Sequence, residues 1–82
     1  MFASLRFPVT NHRILSAPVV GRITAIEHHG TTVDLLLHTG ASLALLLEDV
    51  EPIVRTLKRD LRGLLMRFDG RAIELQAAGG AC

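Results

Sequence analysis

The sequence predicts a mainly β domain of five strands with one helix between the third and fourth strands. Three observations support this prediction. Apolar and polar residues alternate over three successive segments, a helical apolar repeat follows them, and an Asp69-Gly70 turn separates two further segments that alternate in the same way. A chain of 82 residues forms one domain, which buries only about 60–65% of the surface of its unfolded form. Self-association would therefore add useful burial.

The first three strands are predicted at residues 18–27, 31–38 and 41–49. Two turns of similar sequence, His28-His29-Gly30 and His38-Thr39-Gly40, fit three-residue hairpin loops that end with glycine in the left-handed conformation. Together the loops place the apolar residues of all three strands on one face. The expected partners are Ala25 with Val33, Ile23 with Leu35, Gly21 with Leu37, Leu37 with Ala41, Leu35 with Leu43, and Val33 with Leu45.

Residues 49–63 are predicted to form a helix. Asp49 or Glu51 can cap its start, Pro52 falls in the first turn, and Gly63 is a natural stop. The apolar positions with helical spacing are Val50, Ile53, Val54, Leu57 and Leu61.

Residues 64–75 are predicted to form a hairpin on the Asp69-Gly70 turn. One face of this hairpin carries Leu64, Met66, Phe68, Ile73 and Leu75. The complete order, β-β-β-α-β-β, is that of the OB-fold, a small five-stranded barrel with its helix between strands 3 and 4. The alternatives are an SH3-like barrel and an open meander covered by a helix.

The predicted barrel covers residues 16–76. Residues 1–15 form an N-terminal arm or an extra edge strand, since Pro8 restricts a strand in this region to a sheet edge. Residues 77–82 are expected to form a flexible tail.

Composition excludes several classes of protein. The net charge is only +1 and the chain has neither Trp nor Tyr, so neither bulk charge nor aromatic stacking favours nucleic acid. The single cysteine, Cys82, cannot form a disulfide framework within the chain. The N-terminal sequence lacks the apolar stretch of a secretory signal, and no apolar run is long enough to cross a bilayer. We therefore expect a cytoplasmic protein that does not insert into membranes.

The histidines in the segment 27–40 raise the question of a metal site. In the predicted register His28 and His29 lie at one end of the sheet, and His38 lies about 20 Å away at the other. Zinc ligands must lie about 2 Å from one centre, so these three histidines cannot share an ion within one chain. We expect turn-forming histidines and no metal, with a site between subunits as the alternative.

No catalytic motif is evident. The serines lack a nucleophile-elbow context, and no glycine-rich phosphate loop precedes a helix. The paired carboxylates of Glu48 and Asp49 are better explained as charges at the helix start. We therefore expect a binding protein and not an enzyme.

Basic residues form a candidate anion or nucleic-acid patch on the predicted helix. Helical spacing would align four of them along one edge: Arg55, Lys58, Arg59 and Arg62. The alternative is an ordinary solvated face.

Leucines on the second face of the predicted strands indicate self-association. Leu36, Leu46 and Leu65 point away from the predicted core, whereas strands that are apolar on both faces are usually buried on both sides. We expect a homo-oligomer, unless the N-terminal arm covers these side chains.

The stretch from Val19 to Asp49, followed by a helix and the closing "RGLLMRFDGRAIEL", resembles the TOBE domain. The matching features are Gly21-x-Ile23-x-x-Ile26, the leucine-rich second strand and Gly40 before the third strand. This OB-like domain occurs alone in Mop-type molybdate-binding proteins and at the end of ABC-transporter ATPase subunits. The resemblance implies a self-associating or regulatory barrel that binds an oxyanion such as molybdate between subunits. The candidate ligand contacts are Ser16, Arg22 and Arg67.

Overall fold

The computed structural model describes residues 4–77, so most of the expected tail at 77–82, including Cys82, lies outside the described residues. The described chain forms six strands and one helix. Their bounds are β1 Leu5–Pro8, β2 Val19–His29, β3 Thr32–Leu37, β4 Ser42–Leu46, α1 Leu47–Leu57, β5 Leu64–Phe68 and β6 Ala72–Ala77. Among residues 4–77, the helix α1 is too short to span a membrane.

All six strands belong to one antiparallel sheet with the order β1-β6-β5-β2-β3-β4. The prediction of a mainly β domain with one helix is confirmed. The closed five-stranded barrel is wrong, because β1 adds a sixth strand on β6, and the edge strands β1 and β4 do not pair with each other in residues 4–77. Pro8 lies on the edge strand β1, where its missing N–H removes no bond from the interior of the sheet.

The chain after β1 connects the two edges through side-chain and backbone contacts. Its start is held to the β5–β6 turn, where the backbone N–H of Val9 donates to Arg71 and that of Arg13 donates to Gly70. The guanidinium of Arg13 then lies over the Phe68 ring and donates to the carbonyl of Ala44 on β4. Val9 is buried and Leu15 packs against the core. Residues 9–15 of the predicted N-terminal arm therefore cover the core side of the sheet.

The core lies between the inner face of the sheet and α1. The predicted inner face of the last hairpin is confirmed, because all five of its apolar residues are buried. The predicted pairs of Val33 with Leu45 and Leu35 with Leu43 are also confirmed. The remaining strand and helix residues in the core are Ile23, Leu37, Val50 and Ile53, and Leu61 joins them from a loop.

The predicted register of the first hairpin is wrong. Ile23 pairs with Leu37, and after a β-bulge between Ile23 and Ala25 the partner of Ile26 is Leu35. The loop contains only Gly30 and Thr31, so His28 and His29 lie within the strand. Gly30 has φ +64°, as expected when glycine occupies the first position of a two-residue hairpin loop.

The predicted bounds of the helix are also wrong. The helix begins at Leu47, so Pro52 lies in its interior and not in its first turn. It ends at Leu57 because Lys58 adopts a left-handed conformation, with φ 56°, and its N–H donates to the carbonyl of Val54. Leu61 is buried although it lies beyond the helix.

Asp49 attaches the N-terminal arm to the helix. This carboxylate is only 7% exposed, and it accepts hydrogen bonds from the backbone N–H and the hydroxyl of Thr10 at 3.2 Å. It also lies in the first turn of α1, where the helix dipole favours negative charge. One side chain thus stabilises both the helix start and the position of the arm.

We expect Asp49→Ala to lower the free energy of unfolding by about 2 kcal/mol, because it leaves the N–H and hydroxyl of Thr10 without their charged acceptor. The adjacent Glu48→Ala is the matched control, since Glu48 is exposed in the same helical turn and should change stability by less than about 0.5 kcal/mol. Urea unfolding of both variants tests this, and equal losses would contradict it.

Gly70→Ala should destabilise the protein far more than Gly30→Ala, although both glycines have positive φ. A Cβ on Gly70 would lie 2.2 Å from the carbonyl oxygen of Arg13, whereas a Cβ on Gly30 meets nothing within 4 Å. Backbone strain alone should cost about 1–2 kcal/mol in Gly30→Ala. The additional displacement of the arm should raise the cost in Gly70→Ala to roughly 3 kcal/mol or more. Equal urea midpoints for Gly70→Ala and Gly30→Ala would show that the close approach of Arg13 to Gly70 does not limit stability.

Candidate functional site

The outer face of the sheet, opposite the core, carries the candidate functional residues in two places. The arginine face is defined by Val20, Arg22, Leu65 and Arg67 on the neighbouring strands β2 and β5. The hairpin cluster, at the far end of β2, comprises Glu27, His29 and Asp34.

The arginine face brings together two of the predicted ligand contacts. Val20 pairs with Arg67 and Arg22 pairs with Leu65, so the two arginines are diagonal neighbours. Diagonal residues on an antiparallel pair are about 7–8 Å apart, within reach of long side chains. Both arginines are exposed, and within residues 4–77 neither forms an ion pair. The two guanidinium groups share the outer face with the carboxylate of Glu74, which is the direct partner of Arg67 on β6.

Apolar surface surrounds these arginines. The side chain of Val20 is 54% exposed and Leu65 is half-buried beside it. A shallow cleft of about 150 Å³ lies here, and Glu74 and Gln76, the β6 partners of Arg67 and Leu65, also line it. Leu36 and Leu46, the other outward leucines of the sequence prediction, are half-buried as well. The surface is suited to contact with another apolar surface.

Ser16, the third predicted ligand contact, is exposed in the bend before β2. It lies outside the strands, so strand pairing does not place it beside Arg22 and Arg67.

The predicted basic edge of the helix is not formed. Only Arg55 lies on α1, because Lys58 terminates the helix and Arg59 and Arg62 lie in the following loop. Arg59 donates to the carbonyl of Arg62 at 3.1 Å, and Arg62 forms an ion pair with Asp60. The physical reason is the early helix end at Lys58, which removes the i, i+3, i+4, i+7 alignment.

The ion pair with Arg62 also affects the pKa of Asp60. Burial acts to raise the pKa of this carboxyl, but the hydrogen bonds and positive charge of Arg62 outweigh burial and lower the pKa below its ordinary value. The loop after α1 therefore holds Arg62 in a local ion pair.

The hairpin cluster combines an imidazole with two carboxylates. Glu27 and Asp34 are directly paired across β2 and β3, and His29 lies two residues beyond Glu27 on the same face. The Nε2 atom of His29 is 3.5 Å from a carboxylate oxygen of each acidic residue. Sequence reasoning missed Glu27 and Asp34. The Glu27-x-His29 spacing was a usable signal, but the bulge determines which face it occupies.

Two of the other histidines, His28 and His38, lie apart from the hairpin cluster. Among the described residues, His28 faces the opposite side of β2 from His29, and His38 lies at the far end of β3. The Nδ1 atom of His38 accepts a hydrogen bond of 2.9 Å from the backbone N–H of Arg22. His38 therefore stabilises the end of the β2–β3 pair.

A second cleft, of about 390 Å³, separates α1 from the end of β2 and has a mostly apolar lining. The residues that line it are Ile26, His28, Leu47, Val50, Glu51, Val54 and Asp60.

A scan of protein-family models finds no match to this chain, and searches of curated proteins and of solved structures find no significant match. The resemblance to the TOBE domain thus stays a sequence-based prediction.

Asp69 supports the turn beside the arginine face, and its ionisation should make stability depend on pH. Hydrogen bonds from the backbone N–H of Arg71, an ion pair with Arg6 and a hydrogen bond from the N–H of Ala72 hold the pKa of this carboxyl well below its usual range. A lowered pKa in the folded state stabilises the protein above the unfolded value, about 3.9 for Asp, and this contribution is lost as the pH falls.

Asp69→Asn retains a side-chain oxygen for the two backbone donors but loses the negative charge. We expect the difference in Tm between the natural protein and this variant to be largest near neutral pH and to shrink as the pH falls below about 4. Thermal unfolding followed by circular dichroism over this range measures the difference. A difference that stays constant with pH would show that the Asp69 charge is not the stabilising feature.

Proposed function

We propose that this protein is a small self-associating binding module that captures an oxyanion between the arginine faces of two copies. The observation that carries the proposal is the diagonal pair Arg22 and Arg67, which lies without ion-pair partners in residues 4–77 beside the exposed Val20. The role is one of binding and not catalysis.

Apolar contact favours association through this face. Val20 and Leu65 form the other diagonal of the arginine face, and a second copy would remove their exposed surface from water. Each square ångström of apolar surface buried contributes about 25 cal/mol. Because a domain of this size has little core, such burial is a substantial addition to its stability.

Charge opposes the same association until an anion is present. Two arginine faces in contact bring four guanidinium groups together, and like charges at short range repel. A tetrahedral oxyanion accepts several charge-assisted hydrogen bonds from guanidinium groups and neutralises part of this charge. Anion binding and assembly are therefore expected to be linked, each promoting the other.

The ligand class agrees with the family resemblance. The Mop-type proteins that this chain resembles bind molybdate, so molybdate is the first candidate oxyanion. The related domains of ABC-transporter ATPase subunits give the second possible setting, a regulatory role in transport. The helix end at Leu57 leaves the nucleic-acid alternative without the aligned basic edge on which it was based.

Native mass spectrometry and thermal unfolding, with molybdate, tungstate, sulfate and phosphate at constant ionic strength, test the proposal. We expect at least one oxyanion to shift the protein towards a dimer. An anion at about 100 times its Kd should add about 2.7 kcal/mol of stability. Arg22→Ala and Arg67→Ala should each abolish most of this gain. Arg55→Ala, which removes an exposed arginine from α1, is the matched control and should retain it.

A monomer whose stability no oxyanion changes would overturn the proposal and favour an adaptor without a ligand. An oligonucleotide included in the same series reports on the nucleic-acid alternative, because stabilisation by phosphate backbone falls steeply with salt.

A further inference from the structure

We propose that the hairpin cluster, Glu27, His29 and Asp34, is a binding site for a divalent transition-metal ion of the Zn²⁺ class. The site lies on the β2–β3 hairpin and uses none of the residues of the arginine face. It therefore shares no residue with the proposed anion site.

Two features of β2 create the cluster. The bulge between Ile23 and Ala25 reverses the alternation of the strand, which turns Glu27 and His29 outward and Ile26 towards the core. The short Gly30-Thr31 loop extends the ladder to the last residue of β2, so His29 is held within a strand and not in a mobile turn. Ligands on paired strands are better fixed than ligands on a loop.

The distances within the cluster fit a single ion. All three ligand atoms lie within 4.8 Å of one another, and two of the separations, from His29 Nε2 to oxygens of Glu27 and Asp34, are 3.5 Å. Bonds of about 2.0–2.2 Å in tetrahedral geometry place neighbouring ligand atoms roughly 3.3–3.6 Å apart. Only small side-chain movements would close the site around a metal.

Electrostatics favours a cation at the same point. Like charges directly opposite each other on an antiparallel pair are destabilising, and Glu27 and Asp34 occupy such a position. Within residues 4–77 their only ion-pair partner is His29. A divalent ion would neutralise both carboxylates at once.

The ligand set selects the class of metal. Imidazole with carboxylates suits Zn²⁺ and its transition-metal neighbours, whereas Ca²⁺ and Mg²⁺ prefer six or more oxygen ligands. Three protein ligands on an exposed face leave the remaining coordination position to water.

The competing explanation is a protonated His29 that bridges the two carboxylates as an ordinary ion pair. Isothermal titration of the full chain with ZnCl₂ near neutral pH separates the two. We expect saturable binding of one Zn²⁺ per chain. His29→Ala, Glu27→Gln and Asp34→Asn should each weaken binding roughly tenfold or more, equivalent to about 1.4 kcal/mol.

The matched control is His28→Ala, because His28 is the adjacent histidine on the opposite side of the same strand. It should bind Zn²⁺ as the natural protein does. Cys82→Ser should also retain binding, which excludes the only thiol of the chain as a ligand.

Thermal unfolding gives a second readout that a purely structural role would not produce. Without metal, Glu27→Gln and Asp34→Asn should have a Tm equal to or above that of the natural protein, since each relieves like-charge repulsion. At the same Zn²⁺ concentration, the natural protein and His28→Ala should gain in Tm, and these two variants should gain clearly less, because their weaker binding adds less stability.

Absence of Zn²⁺ binding to the natural protein, or equal binding by His29→Ala, would overturn the proposal. A lower metal-free Tm in all three cluster variants, with no effect of Zn²⁺ on any protein, would establish the ion pair instead. Because neither readout involves Arg22 or Arg67, the outcome does not depend on oxyanion binding.

Discussion

The β-bulge between Ile23 and Ala25 is the constraint on which most of the architecture depends. Before it, Ile23 faces the core; after it, Ile26 does, although the two residues are an odd number of positions apart. The first residues of β2, from Val19 to Arg22, pair with β5, and the strand pairs with β3 from Ile23 onward. A single long strand therefore holds together both halves of the sheet, and without the bulge Glu27 and His29 would face inward.

An open sheet leaves two edge strands, here β1 and β4, and the N-terminal arm runs from the first towards the second on the core side of the sheet. The arm begins as β1 on one edge, contributes Val9 to the core and reaches β4 through Arg13. Its contacts with Asp49 and Gly70 are specific and local. The sheet therefore stays open, and the arm reaches β4 through the hydrogen bond from Arg13 to the carbonyl of Ala44.

Sequence patterns predicted the parts of this structure that depend on local alternation. Gly40, with φ +91°, ends a three-residue loop, and the inward positions of β3 to β6 follow simple parity. The first hairpin was mispredicted because "HHGTT" permits a three-residue loop that ends with Gly30 or a two-residue loop that begins with it. Thr24 and Ala25 are compatible with either face of a strand, so they gave no sign of a bulge.

The helix end and the hairpin cluster were missed for related reasons. Leu61 continues the helical repeat in sequence, yet it reaches the core from a loop. The helix ends earlier because Lys58 adopts a left-handed conformation, which is uncommon for a residue other than glycine and was not predictable from the lysine itself. Lys58, Arg59 and Arg62 consequently lie outside the helix, so no helical spacing aligns them with Arg55. The hairpin cluster requires both the bulge and the short turn, so two unpredicted backbone features had to be known before Glu27, His29 and Asp34 could be placed together.

Both proposed sites lie on the exposed side of β2, but each one joins β2 to a different neighbouring strand. An oxyanion at Arg22 and Arg67 acts on the pair β2 and β5, whereas a metal at Glu27, His29 and Asp34 acts on β2 and β3. Ligands that bind only the native state stabilise independently when their sites share no contacts. If the two stabilisations add, the bulge separates the sites energetically as well as geometrically. If they do not, the two sites are energetically coupled, and β2 is the one strand that carries residues of both.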